Sequence, residues 1–231
     1  SPQKYQTALA LFERHVDGAE LLGRLRLSTP TVMTPARFEH ELLERARSST
    51  RHIVLPEGDD DRILQAADIV MKRGIAELTI LGDEAVVRGR ATELGLDLSS
   101  VTVVSPLDPA LHERFAREYL ALREKKGISA RIAEDTVTDV AYFGTMMVHD
   151  GLADGMVSGA AHTTAHTIRP AFEIVKTSPG VDVVSSVFLM VLADRVLVYG
   201  DCAVIPEPTV DQLADIAISS AATARRFGIE P

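Results

Sequence analysis

Cysteine is nearly missing from this chain, and other absences narrow its nature further. The single Cys202 among 231 residues rules out an intrachain disulfide and points to a reducing cytoplasm. No apolar run approaches the ~20 residues that a membrane-spanning helix needs. Basic charge is in deficit: 24 Lys and Arg face 33 Asp and Glu, a net charge of −9. That balance argues against nonspecific nucleic-acid binding, which requires a basic face. Neither Gly-x-x-x-x-Gly-Lys-Ser/Thr nor Gly-x-Gly-x-x-Gly occurs, so neither ATP nor a dinucleotide is signalled. Internal repeats, low-complexity tracts and a signal peptide are likewise not visible, and a first residue of Ser rather than Met suggests a processed or excised chain.

What is present suits a globular protein. Hydrophobic residues make up 46% of the chain and charged ones 25%, enough to bury the core of one large α/β domain or two small ones. Residues 5–16 have amphipathic helical spacing with Leu9, Leu11 and Phe12 inward, and Leu21, Leu22 and Leu25 extend the pattern. Thr29-Pro-Thr-Val-Met-Thr-Pro35 reads as a linker, because two prolines interrupt regular pairing. Residues 1–33 are therefore either the tail of an upstream region or an N-terminal helical hairpin.

From Thr34 onward, helix and strand alternate. Thr34 and Pro35 predict the start of a helix burying Phe38, Leu42, Leu43 and Ala46. Strands are predicted at residues 53–55, 78–81, 101–104 and 155–157. Helices are predicted at 59–73, 83–94, 109–126 and, with a break, 129–149. Further strands are expected at 183–192, 196–199 and 202–205, and a last helix at 209–227. Strands separated by helices argue for a largely parallel sheet with flanking helices, and the closely spaced later strands for some antiparallel pairing.

The densest chemistry lies in residues 154–170. A short apolar run ends at Ser158-Gly-Ala-Ala161, small residues that allow close approach to the backbone. Donors follow at His162, Thr163, Thr164, His166 and Thr167, then Arg169 and a helix expected to begin around Pro170. A strand end, a small-residue turn and a helix start expose N–H groups and a positive dipole end, which suits phosphate. Arg169 can add a two-pronged donor to the same oxyanion, or simply pair with Glu173 one turn on. Arg123, among Lys125, Lys126 and Gly127 at a helix end, can be there for the dipole alone. Ser158 lacks the Gly-x-Ser-x-Gly elbow of a nucleophile, so a binding role suits it better. His162 and His166 have the i,i+4 spacing of zinc ligands but no His-Glu-x-x-His context, and no metal is expected. Asp59, Asp60 and Asp61 fit helix capping better than a metal site. Cys202 reads as a small core residue in an apolar strand.

Several strings occur in order that are similar to one known family. They are Leu55-Pro-Glu-Gly58, Ile63-Leu-Gln-Ala-Ala67, Arg73-Gly-Ile75, Leu122-Arg-Glu-Lys-Lys-Gly-Ile128, Val157-Ser-Gly-Ala-Ala-His162, Thr167-Ile-Arg-Pro170, Ile174-Val-Lys-Thr177 and Pro206-Glu-Pro-Thr-Val-Asp-Gln-Leu-Ala-Asp-Ile-Ala217. From about Thr34 to the end the chain resembles the phosphate acetyltransferase (phosphotransacetylase) family. The resemblance implies exchange of an acetyl group between acetyl phosphate and coenzyme A, giving acetyl-CoA and inorganic phosphate by direct thiolate attack. Coenzyme A would enter as a substrate, with no separate cofactor. Arg169 and Arg123 are the implied catalytic cations, and Ser158, Gly159, Ala160, His162 and Thr163 the implied substrate-binding residues.

The implied fold is the isocitrate/isopropylmalate dehydrogenase-like one in two subdomains, here divided at 34–150 and 151–231. The implied assembly is a homo-oligomer. Gly228-Ile-Glu-Pro231 reads as a loop before another strand. The family's aspartate general base, a serine-containing loop and a further arginine are thus expected beyond Pro231, and the 231 residues alone are expected to turn over little. Another short-chain phosphate acyltransferase and a non-catalytic acetyl-CoA-sensing module are the alternatives.

Overall fold

The computed structural model describes residues 2–18, 20, 32–177, 179, 181 and 183–231. Four short strands form a parallel sheet: β1 (His52–Leu55), β2 (Glu77–Leu81), β3 (Thr102–Val104) and β4 (Gly155–Met156). Their order across the sheet is β3-β2-β1-β4. The strand following residue 150 therefore completes this sheet, with Ile53 opposite Gly155 and Val54 opposite Met156. Alternation decides which face each strand residue serves.

On one face Val54 and Leu81 pack with Phe115, Phe143, Met146, Val137 and Tyr119. Those residues come from α5 (Pro109–Leu122), α6 (Ala130–Val137) and α7 (Val140–His149). Gly144 lets α7 lie close to the sheet, since a Cβ there would sit 2.7 Å from Met156 Sδ and 3.3 Å from Val54 Cγ1. On the other face Leu55 and Ile80 pack with Leu64, Ala67, Val87 and Ala91. These belong to α3 (Asp61–Arg73) and α4 (Glu84–Glu93). Helices on both faces of a parallel sheet are the arrangement that the alternation predicts.

A second sheet is the antiparallel hairpin of β5 (Val187–Val191) and β6 (Val196–Gly200). It packs against α9 (Val210–Arg226), which Thr209 and Gln212 start with a reciprocal capping box. The small core here joins Met33 and Phe38 to Val196, Ala224 and Ile229. Phe38 comes from α2 (Pro35–Ser48), capped by Thr34. The Val196 N–H donates to the Met33 carbonyl at 3.0 Å, so part of the expected linker is core.

Several sequence expectations change. The first helix, α1 (Pro2–His15), forms, but Leu11 and Phe12 are about half exposed rather than inward. Leu9, Leu21, Leu22 and Leu25 lie outside the residues whose side chains are described. In α2 only Phe38 is buried, and Leu42 is exposed, because one turn of contact suffices against the small hairpin. The helix expected to reach residue 126 ends at Leu122, followed by a tight turn to Gly127 at φ 67°. Residues 129–149 form two helices because Asp139 accepts the N–H groups of Ala141 and Tyr142 and starts α7 afresh. Residues 202–205 are not a strand. They wrap around the Asp201 carboxylate, which accepts the N–H groups of Val204 and Ile205, and Cys202 is half-buried in that turn.

Candidate anion-handling site

In an open parallel sheet, ligands bind beyond the carboxyl ends of the strands where the order reverses. Here that point lies between β1 and β4, which are neighbours although the chain leaves β1 toward β2. Two loops diverge from it, residues 56–60 and 157–163. Gly58 makes the first possible: a Cβ would lie 2.4 Å from the Leu81 carbonyl oxygen and 2.5 Å from Ile80 Cγ2.

The helix after the second loop starts earlier than predicted. It is α8 (Thr164–Pro170), and Thr163 is its N-cap, its hydroxyl accepting the His166 N–H. Starting at Thr164 rather than near Pro170 places Arg169 on the helix instead of ahead of it.

The backbone N–H donors expected to meet phosphate are already engaged. Glu57 Oε2 accepts the N–H groups of Gly159 and Ala160, both at 2.9 Å. Its Oε1 accepts those of Ala161 at 2.8 Å and His162 at 3.0 Å, and contacts His162 Nδ1 at 2.8 Å. Gly159, at φ 113°, turns the loop so that consecutive N–H groups converge. Glu57 is fully buried. Burial pushes its carboxyl upward, but the backbone donors of Ala161, Ala160 and Gly159 with the His162 ring outweigh it, leaving the group at about 2. From the other side the Arg62 guanidinium donates to the Ala160 carbonyl and grips Asp60. Phosphate recognition through the backbone of this loop, as the sequence suggested, is thus replaced by an internal carboxylate.

The two histidines do not share a ligand. Their rings stack at 4.7 Å and 18°, and His166 Nε2 turns to Asp139 Oδ2 at 2.9 Å. Among the described residues no three His, Cys, Asp or Glu side chains converge as a metal site. Asp60 caps α3 and Asp61 pairs with Arg90 at 2.6 Å.

Arg123 sits at the end of α5, where Glu173 draws its Nη2 to 3.6 Å. Its Nε is buried and has no partner among the described residues. Glu173 Oε2 also accepts the hydroxyls of Tyr119 at 2.7 Å and Tyr142 at 3.2 Å. Burial and Glu173 raise both phenols, Tyr142 to about 12; Arg169 offsets part of the rise at Tyr142 and Arg123 part of that at Tyr119. Glu173 is therefore committed to tyrosines and Arg123, not to Arg169. Arg169 is exposed and makes no hydrogen bond or ion pair among the described residues. Two buried hydroxyl oxygens, Ser158 Oγ in the loop and Thr167 Oγ1 on α8, also have no partner among the described residues.

His162, His166, Asp139, Tyr142, Glu173 and Arg123 follow one another by contact, linking the loop to Arg123. Sequence reasoning missed Glu57, Tyr119 and Tyr142, and read Glu173 only as a partner for Arg169. Glu57 carried a signal: a carboxylate directly after an apolar strand, between proline and glycine, faces the end of the core.

Fold and site together define a doubly wound α/β domain whose switch-point loop and following helix carry unpartnered hydroxyl and guanidinium groups. Comparison with known proteins agrees. The chain belongs to the phosphate acetyl/butaryl transferase family, whose model matches residues 37–231. It is 56% identical to a phosphate acetyltransferase of Nitratidesulfovibrio vulgaris over 230 residues, 99% of this chain and 32% of that protein. The Synechocystis phosphate acetyltransferase is 50% identical, with 99% and 33% covered. This chain thus spans about a third of the length of these curated relatives. Among solved structures, a Streptococcus pyogenes phosphotransacetylase superposes with a TM-score of 0.81 at 39% identity, covering 86% of this chain and 61% of that one. A Staphylococcus aureus phosphotransacetylase gives 0.78 at 39%, covering 85% and 59%.

Proposed function

We propose that this chain is the substrate-holding part of a phosphate acetyltransferase, interconverting acetyl-CoA and phosphate with coenzyme A and acetyl phosphate. The observation that carries the reading is the spare donor capacity at the switch point: exposed Arg169, the buried Nε of Arg123 and the hydroxyls of Ser158 and Thr167. Substrates of this reaction all carry phosphate groups, and planar guanidinium donors recognise them best. In the transfer, the coenzyme A thiolate attacks the acetyl carbonyl of acetyl phosphate, the C–O bond to phosphate breaks, and inorganic phosphate leaves. Arg169 and Arg123 offset the charge on the phosphate as it departs. Ser158 and Thr163 steady the same group by hydrogen bonding, and His162 offers its free ring nitrogen to a donor of the substrate.

The group that deprotonates the thiol is assigned outside these 231 residues, in the longer part that the relatives possess. Coenzyme A is a substrate here and no cofactor enters the scheme. A homo-oligomer in the cytoplasm belongs to the same proposal, and no helix among the described residues is long and apolar enough to cross a membrane. The test is phosphate-dependent release of free coenzyme A from acetyl-CoA by the protein in its natural full length, beside its Arg169→Ala variant. Loss of most activity in the variant is expected. Equal activity in both would remove Arg169 from the site, and no activity in either, with acetyl-CoA still bound, would favour a sensor. Running butyryl-CoA in parallel separates acyl preferences, since one methylene changes discrimination by ~1–3 kcal/mol.

A further inference from the structure

Four successive N–H groups at residues 159–162 form a concave row, the arrangement by which loops hold an exchangeable anion. In this chain the anion filling the row is the side chain of Glu57, 102 to 105 residues earlier in sequence. We infer that Glu57 is a positioning residue of the site: its carboxylate occupies the loop's own anion nest, fixes residues 157–163, and sets His162 as the Nδ1–H tautomer with Nε2 left as a free acceptor. A buried carboxylate is costly unless every lone pair is met, and five donors meet it here. A neutral imidazole has one donor and one acceptor nitrogen, and the bond made by one decides the role of the other. His162 Nε2 has no partner among the described residues, while the ring is partly exposed.

This assignment changes how an incoming phosphate group is met. The backbone row is closed to it, so recognition falls to side chains that can donate: the Ser158 and Thr167 hydroxyls, Arg169 and Arg123. Glu57 and Arg62 hold the loop from opposite sides, one through its N–H groups and the other through the Ala160 carbonyl. The side chains the loop carries are thereby fixed before any ligand arrives, which is the condition for precise orientation.

Two measurements on the protein in its natural full length test the inference. The first is a double-mutant cycle for acetyl phosphate turnover, and only this arm rests on the transferase reading. Glu57→Gln, whose amide presents N–H where the loop needs an acceptor, should lower kcat/KM on the order of 10- to 100-fold. In a His162→Ala background the same change should cost less than about threefold, because the two act as a unit. Equal losses in both backgrounds would reduce Glu57 to a support of the fold and overturn the inference. The second is the imidazole nitrogen spectrum of His162 at about pH 8, where an ordinary histidine is neutral. A protonated Nδ1 and bare Nε2 are expected, and the opposite tautomer overturns the inference whatever the enzyme turns over. If the wild-type protein transfers no acetyl group, the transferase reading fails and this spectrum alone decides for or against Glu57.

Discussion

Acid should strip the site of its internal anion, and the energetic consequence can be worked out from Glu57. Its carboxyl, ordinarily at 4.5, is held at about 2 in the folded protein. A group whose folded value lies below its unfolded one stabilises the fold above the unfolded value. That stabilisation disappears as pH falls through the folded value. The drop from 4.5 to about 2, at ~1.4 kcal/mol per unit, comes to about 3 kcal/mol. All of it is present above about pH 5 and is lost between about pH 4.5 and pH 2.

The assay is urea unfolding of the wild-type protein and Glu57→Gln from about pH 7 down to about pH 2.5. At neutral pH the amide leaves two loop donors facing its own NH₂, so the variant should be less stable by about 2–6 kcal/mol. The amide takes up no proton on acidification, whereas every other titrating group is common to both proteins. The difference between them should therefore shrink by about 2–3 kcal/mol across that range. A difference constant from neutral to acid pH would refute the picture of an ionised carboxylate held by the loop.

Other outcomes follow from the same geometry. Gly58→Ala should destabilise by about 1–3 kcal/mol or more in urea unfolding, because one of the colliding atoms is a backbone carbonyl oxygen that cannot swing away. Phe115→Ala, which removes a fully buried ring packed edge-on against Phe143 at 4.9 Å, should cost about 3–5 kcal/mol in the same assay. Arg169→Ala should leave stability within about 0.5 kcal/mol of wild type, since the side chain is exposed and unpaired among the described residues. A large loss of stability there would mean that Arg169 serves the fold.

Local signals predicted the local structure well and the site's wiring poorly. Asp60, Ser129 and Thr209 each cap the helix that their sequence context announced. The parallel sheet followed from alternation. Errors arose where a single side chain reorganised the backbone. Thr163 starts α8 six residues before Pro170, and Asp139 splits one expected helix into two. Leu11, Phe12 and Leu42 have the right spacing for burial but stay partly exposed; periodicity reports a face and not its partner. The switch-point loop was legible from its small residues and Arg169. Its true anion was not, because Glu57 lies on a different loop, brought alongside only when β1 pairs with β4. Likewise Glu173, one turn from Arg169 in sequence, is drawn to Tyr119, Tyr142 and Arg123, an outcome set by three other segments.

The small core beneath the hairpin imposes a schedule on the ribosome. Met33 and Phe38 are made early, yet Val196, Ala224 and Ile229, against which they pack, are made late. At roughly 5–20 residues per second, α2 waits about 10–40 s for its partners. Meanwhile β1 to β4 and their helices, all encoded between residues 52 and 156, can close around their own two cores. The Phe38 ring is then an exposed apolar handle on a partly finished protein, and α2 the last element to dock. Such sequence-distant closure slows folding more than it weakens the finished fold. Chaperone demand during synthesis should therefore centre on this segment rather than on the residues that handle phosphate.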